Sequence, residues 1–192
     1  MAVGLSLTDG GPPTRAKGLQ WSAASVNTEP ISLQDAEVFA SVFDPTGEES
    51  TLLKNLITGV RQLIEKRIRR LLVRREVTAY WREAPRQVRL PLPPHGSVQE
   101  VRRYVGTGET EVVPSGDWHT KGTGYLTLVV DKPLNHGVEV DFTAGYESLP
   151  AGLKIQMLRD IKTRFDQRDA VTGDAMNELP DPSAYDAWRV LS

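Results

Sequence analysis

Residues 137–169, GVEVDFTAGYESLPAGLKIQMLRDIKTRFDQRD, constrain the fold of this chain more than any other stretch. Val138, Val140 and Phe142 alternate with Glu139 and Asp141, the period of two that a half-buried strand requires. Gly145 permits a sharp exit from that strand. Pro150 suits the opening of a helix, where its missing N–H would lack an intrahelical partner anyway. Met157, Leu158, Ile161 and Phe165 then share one stripe, with charged residues over most of the remainder. The chain therefore passes directly from a small sheet to a packed helix.

Upstream the helical period comes first. Ser32 is placed to cap a helix with Asp35 three residues on, as in a capping box, and this helix is expected to end near Asp44-Pro45. Thr46-Gly47 turns the chain into a longer helix beginning around Glu48, where acidic side chains favour the positive dipole end. Leu53, Leu56, Ile57, Val60, Ile64, Ile68 and Leu71 make its apolar stripe. Arg67 projects into that stripe, so its charge must either snorkel to the rim or pair with an acid of this or a neighbouring subunit.

From Val73 the period changes to two. Val73–Trp81, Val88–Leu90, Val98–Val105, Tyr125–Val130 and Gly137–Phe142 read as strands, separated by Pro91, Pro93-Pro94, Gly96, Gly106-Thr107-Gly108, Ser115-Gly116 and Asn135-His136-Gly137. Helices, then strands, then a helix make an α+β fold. Its parts are N-terminal helices, a small and mostly antiparallel β-sheet, and a C-terminal helix. An extended N-terminal arm covers residues 1–29, rich in Gly, Pro, Ser and Thr with Trp21 as its anchor. The main domain covers residues 30–169, and a polar, broken tail covers residues 170–192. A length of 192 residues suits one modest core with such extensions.

The net charge of −2 hides an asymmetry. Arg61, Lys66, Arg67, Arg69, Arg70, Arg74 and Arg75 are offset locally only by Glu65 and Glu76, whereas the tail carries Asp174, Glu178, Asp181 and Asp186. Opposite charges at opposite ends suit contacts between copies of one chain, and equally a solvated basic helix face. The tail closes on Tyr185, Ala187, Trp188, Val190 and Leu191. That apolar end either docks on a partner or folds back onto its own core.

Several chemistries are missing. Cysteine is absent, which excludes disulfides, thiolate metal sites and a cysteine nucleophile. His95, His119 and His136 lack ligand spacing, so neither a metal nor a cofactor is expected. Gly106-Thr107-Gly108 and Gly122-Thr123-Gly124 lack the Lys-Ser/Thr end of a phosphate loop and read as hairpin turns. In Asp117-Trp118-His119, adjacent strand residues face opposite ways and no nucleophile motif accompanies them. No catalytic residue is assigned. The chain has no apolar run near the ~20 residues that span a bilayer, and it lacks a basic start and apolar signal core at its N-terminus, so no membrane partner or secretory processing is expected.

Taken in order, these motifs resemble the head–tail connector (adaptor) proteins of long-tailed double-stranded DNA bacteriophages and gene-transfer particles. Pro30-Ile31-Ser32-Leu33 with Asp35-Ala36 is similar to that family's opening cap. Leu53–Ile57, Val60 and Ile64-Glu65 resemble its long helix, and Arg89-Leu90-Pro91 with Pro94 and Val98 its Leu-Pro strand. Phe142–Tyr146, Leu149-Pro150 and Phe165–Asp169 resemble its most recognisable portion. The similarity covers about residues 30–169 and the ending at Tyr185–Arg189. The long arm and the dense arginines after Ile64 depart from the pattern.

The resemblance implies a non-enzymatic virion protein of the neck, assembled in the host cytoplasm. It implies a twelve-subunit ring of this chain beneath the portal protein. Such a ring joins the portal to the tail or to the next neck (stopper) protein and extends the channel through which double-stranded DNA passes without sequence-specific binding. It makes Tyr185, Trp188 and Arg189 portal-docking candidates. Arg61, Lys66, Arg67, Arg69 and Arg70 become subunit-interface or channel candidates, and Phe165, Arg168 and Asp169 a structural helix end. The rival reading is a nucleic-acid-binding structural module using the basic 61–75 helix, although Tyr80 and Trp81 lie beyond that run and its apolar residues are mostly aliphatic.

Overall fold

The period-two segments form strands close to where alternation places them. In the computed structural model, residues 18–21, 29–43, 46–82, 86–105, 109–131, 137–167 and 178–190 are described. They group into two compact units, one drawn from Met1–Ser22 and Glu76–Thr143, the other from Ala23–Arg75 and Ala144–Ser192. The first is a β unit and the second is helical.

The β unit contains β1 (Gly18–Trp21), β2 (Arg75–Trp81), β3 (Gln87–Arg89), β4 (His95–Tyr104), β5 (Thr110–Val112), β6 (Trp118–Lys121), β7 (Thr127–Val130) and β8 (Val138–Ala144). Five strands form a sheet in the order β1-β2-β8-β4-β5, and three more form a second sheet in the order β3-β7-β6. The β1–β2, β3–β7, β4–β5 and β6–β7 pairs are antiparallel. The expected α+β class with antiparallel pairing is the observed one. Part of the arm is more regular than its composition suggests, because Gly18–Trp21 pairs along β2 with Gly18 opposite Tyr80 and Trp21 opposite Val77. Gly122 and Gly124, with φ of 98° and 69°, make the β6–β7 turn as expected. Residues 106–108 and 135–136, also read as turn residues, lie outside the described residues.

Alternation decides what the β unit buries. Val77, Ala79 and Trp81 of β2, Val101 of β4, and Val138, Val140 and Phe142 of β8 turn inward and are buried. Each large side chain so buried contributes roughly 1.5–3 kcal/mol. His95 joins this packing by its edge-on contact with Phe142. Its Nδ1 accepts the backbone N–H of Leu126 at 2.9 Å, and its Nε2 lies 2.8 Å from the Pro91 carbonyl. A ring that accepts at Nδ1 carries its proton on Nε2, which donates to Pro91. Burial pushes its pKa below the usual imidazole value, which matches this neutral form.

The helical unit contains α1 (Leu33–Ala40), α2 (Gly47–Ile68), α3 (Ala151–Asp166) and a short 3-10 helix, Pro182–Trp188. Ser32 caps α1 as expected, its hydroxyl accepting the Asp35 N–H at 3.0 Å. The Asp35 carboxylate instead reaches Lys154 of α3 at 2.9 Å. That bond, with help from Ser32, holds the Asp35 pKa below the usual carboxylate value. α1 stops at Ala40, short of Asp44-Pro45, because Ser41 takes the left-handed conformation with φ 61°. α2 opens on Thr46, which forms a reciprocal capping box with Glu49. The Thr-x-x-Glu spacing was the signal for that start.

The α2 stripe is buried from Leu53 to Ile68 and packs with Leu153, Met157, Ile161 and Phe165 of α3 and with Ala36 and Ala40 of α1. Leu71 is buried too, but lies beyond the helix, which ends at the left-handed Arg69. Gly145 has φ 106°, and a Cβ there would strike the Val73 carbonyl.

Candidate interaction surfaces

The arginine-rich end of α2 is where sequence reasoning placed neighbour or channel contacts. For Arg61 the structure corrects this: the residue is only 4% exposed. Its Nε meets Glu29 Oε2 at 2.7 Å and its Nη1 meets Glu65 Oε2 at 3.0 Å. Glu65 lies one turn further along the same helix face. Through its Oε1, Glu65 also accepts from Arg75 Nη2 at 3.0 Å and from the Leu72 N–H at 2.9 Å. Burial alone would lower the Arg61 pKa, yet the bonds to Glu29 and Glu65 raise it above the ordinary guanidinium value. Arg61 therefore ties the segment entering α1 to α2 instead of presenting charge to a partner.

The remaining basic residues divide. Arg67 resolves its placement by pairing with Asp186 of its own chain at 2.8 Å. Arg70 Nη1 donates to the Tyr146 hydroxyl at 3.2 Å, and Arg74 pairs with Glu147 at 3.3 Å. Lys66 and Arg69 are exposed. Much of the basic run is thus neutralised within the subunit, which weighs against a nucleic-acid-binding face.

The tail folds back, the second of the two alternatives open to it. Tyr185 is fully buried in the helical core, and Trp188 packs half-buried against it. Asp181 caps the 3-10 helix by accepting the Ser183 N–H, Arg164 of α3 donates to the Glu178 carbonyl, and the Val190 N–H reaches the Ile68 carbonyl at 3.0 Å. Tyr185 as a directly presented docking residue is therefore corrected: its ring fills the subunit's own core. Arg189 is exposed. Of the helix-end group, Phe165 is buried, while Arg168 and Asp169 lie outside the described residues.

Two surfaces were not singled out by the sequence. On one face of the five-stranded sheet, Arg102 of β4 meets Glu100 at 2.5 Å, Glu139 at 2.5 Å and Asp141 at 2.7 Å. Thr78 donates to Asp141 and Tyr104 to Glu139. The polar partners of the period-two pattern were the available signal. At the end of α1, Val38, Phe39 and Phe43 are exposed, Phe43 by 85%. Val38 and Phe39 stand off the Ala36 and Ala40 stripe, a pattern visible only once the short helix is delimited. Elsewhere, Trp118 donates its ring N–H to the Val113 carbonyl at 3.3 Å while His119 is exposed. Among the described residues no group of three or more His, Asp or Glu side chains is placed to hold a metal ion, and no helix is long and apolar enough to cross a membrane.

Among solved structures, the chain matches one from the neck of an empty gene transfer agent (GTA) particle computed with C6 symmetry. The TM-score is 0.71 at 18% identity, covering 91% of this chain and 96% of that one. This chain shares its fold with a chain of that neck. A chain in the virion of the native GTA particle gives the same TM-score, identity and coverage. Another, from the neck of the native particle computed with C12 symmetry, gives 0.60 at 19% identity with the same coverage. No protein-family model matches the sequence, and no curated protein does.

Proposed function

We propose that the chain is a non-enzymatic structural protein of a virion neck, and that twelve copies form a ring joining the portal to the tail or to the next neck protein. The observation that carries this reading is the likeness to neck chains at TM-score 0.71 over 91% of the chain. The neck structures were computed with C6 and C12 symmetry, which supports a cyclic arrangement. The ring extends the DNA channel. Arg189 and the uncovered edge of Trp188 are the portal-facing groups, carried on a segment anchored by Tyr185.

Electron microscopy and native mass spectrometry of the purified chain, alone and mixed with its portal assembly, test the proposal. Twelvefold rings seated on the portal are expected. A compact monomer that never joins a portal and binds DNA with steep salt dependence would support the rival class instead.

A further inference from the structure

A closed ring needs two different patches on each subunit, because every interface joins one surface of a copy to another surface of the next. On the ring reading above, the helical unit offers such a pair. At the start of α2 stand Phe43, 85% exposed, and the exposed Glu48. At its far end stand the exposed Lys66 and Arg69. The 22 residues of α2 separate these ends by about 33 Å, the width of a small domain.

We propose that the Phe43 and Glu48 end of α2 in one subunit docks on the Lys66 and Arg69 end of α2 in the next copy. The two patches are complementary in charge, which fixes register and excludes like-with-like contact. Arg69 can stack on the uncovered Phe43 ring as a cation on an aromatic face, while Glu48 meets Lys66. Within one subunit these charges already complement the helix dipole. That accounts for Glu48 and Lys66, but it gives no use to an aromatic ring left almost wholly in water. Docking on a second copy covers it.

The natural chain has no cysteine, so paired cysteines report the contact without background. The variant carrying both Gly47→Cys and Gln62→Cys, exposed positions beside the two patches that leave Phe43, Glu48, Lys66 and Arg69 in place, assembled on the portal and treated with a short bifunctional maleimide, is expected to give a ladder of linked species up to the full ring on denaturing gels. Each single variant stays monomeric. Circular dichroism and melting close to the natural chain establish that the variants fold. Dimers from Gly47→Cys alone would reveal a two-fold contact and overturn the proposal. So would an unlinked double variant whose rings are visible by microscopy, an outcome that leaves the ring reading intact. If the natural chain forms no rings on the portal, the ring reading fails and this interface with it.

Discussion

Tyr185 donates its hydroxyl hydrogen to Asp160 Oδ2 at 2.6 Å, with both residues buried. The contact joins the C-terminal 3-10 helix to the middle of α3. Burial raises the Asp160 pKa above the usual carboxylate value, against the opposing hydrogen bonds from Tyr185 and Gln156 and the nearby charge of Arg164. Burial, followed by the Asp160 bond, pushes the Tyr185 hydroxyl far above its ordinary range. The tail is thus held by a polar contact inside an apolar core, where leaving either partner unsatisfied is costly.

Tyr185→Phe keeps the ring and removes that bond. The expected loss is about 1.5–3 kcal/mol of stability, the range for a hydrogen bond to a charged group. Urea unfolding followed by circular dichroism measures it, and a midpoint equal to that of the natural chain would contradict the anchoring role.

Glu65 receives Arg61, Arg75 and the Leu72 N–H. Glu65→Gln takes the counter-charge from Arg75 and leaves Arg61 with Glu29 alone, and breaking a buried pair costs about 3–5 kcal/mol. Lys66→Gln, one residue away and exposed, should stay within about 0.5 kcal/mol. Comparing the two by thermal unfolding separates a buried network from general loss of basic charge.

Gly145→Ala forces a side chain onto a backbone with φ 106° and drives its Cβ into the Val73 carbonyl. The backbone strain alone costs about 1–3 kcal/mol, and the collision adds to it. A much lower melting temperature or a collapse in soluble yield is expected. A melting temperature at or above that of the natural chain would mean that this connection relaxes.

Burial holds the native His95 pKa below its unfolded value. As pH falls through the unfolded value of about 6.5, the unfolded chain takes up a proton that the native chain refuses, so stability falls. The loss continues until the lower native pKa is reached. Above the unfolded pKa the group imposes no such cost. His95→Gln should be less stable overall, yet lack this component of the slope between about pH 7 and 5. Parallel slopes for the two proteins in urea titrations would remove His95 as the source.

Much of the fold was legible locally. The alternation of Val138, Val140 and Phe142 marked β8, the stripe from Leu53 to Ile68 marked α2, and Met157 to Phe165 marked the inward face of α3. Ser32 announced its helix. The exact stop of α1 was not legible, since Ser41 ends it by adopting a left-handed backbone that no turn residue advertises. Among the interaction candidates, Lys66 and Arg69 are exposed, whereas the inward turn of Arg61 and the burial of Tyr185 were not readable from spacing.

By itself the sequence determined the three main helices, the strands β2, β3, β4, β7 and β8 and the faces these bury, because period, caps and glycine turns act between residues a few positions apart; β1, β5, β6 and the 3-10 helix were not marked in this way. Tertiary structure decided the partners. It placed β8, the last of the described strands, between β2 and β4 in the middle of its sheet. It brought Glu29 to Arg61 across 32 positions and Asp160 to Tyr185 across 25. A charge or hydroxyl carries no periodic mark of the group it will meet. Its partner is set only when packed elements bring the two together and burial makes an unmet bond more costly than a met one.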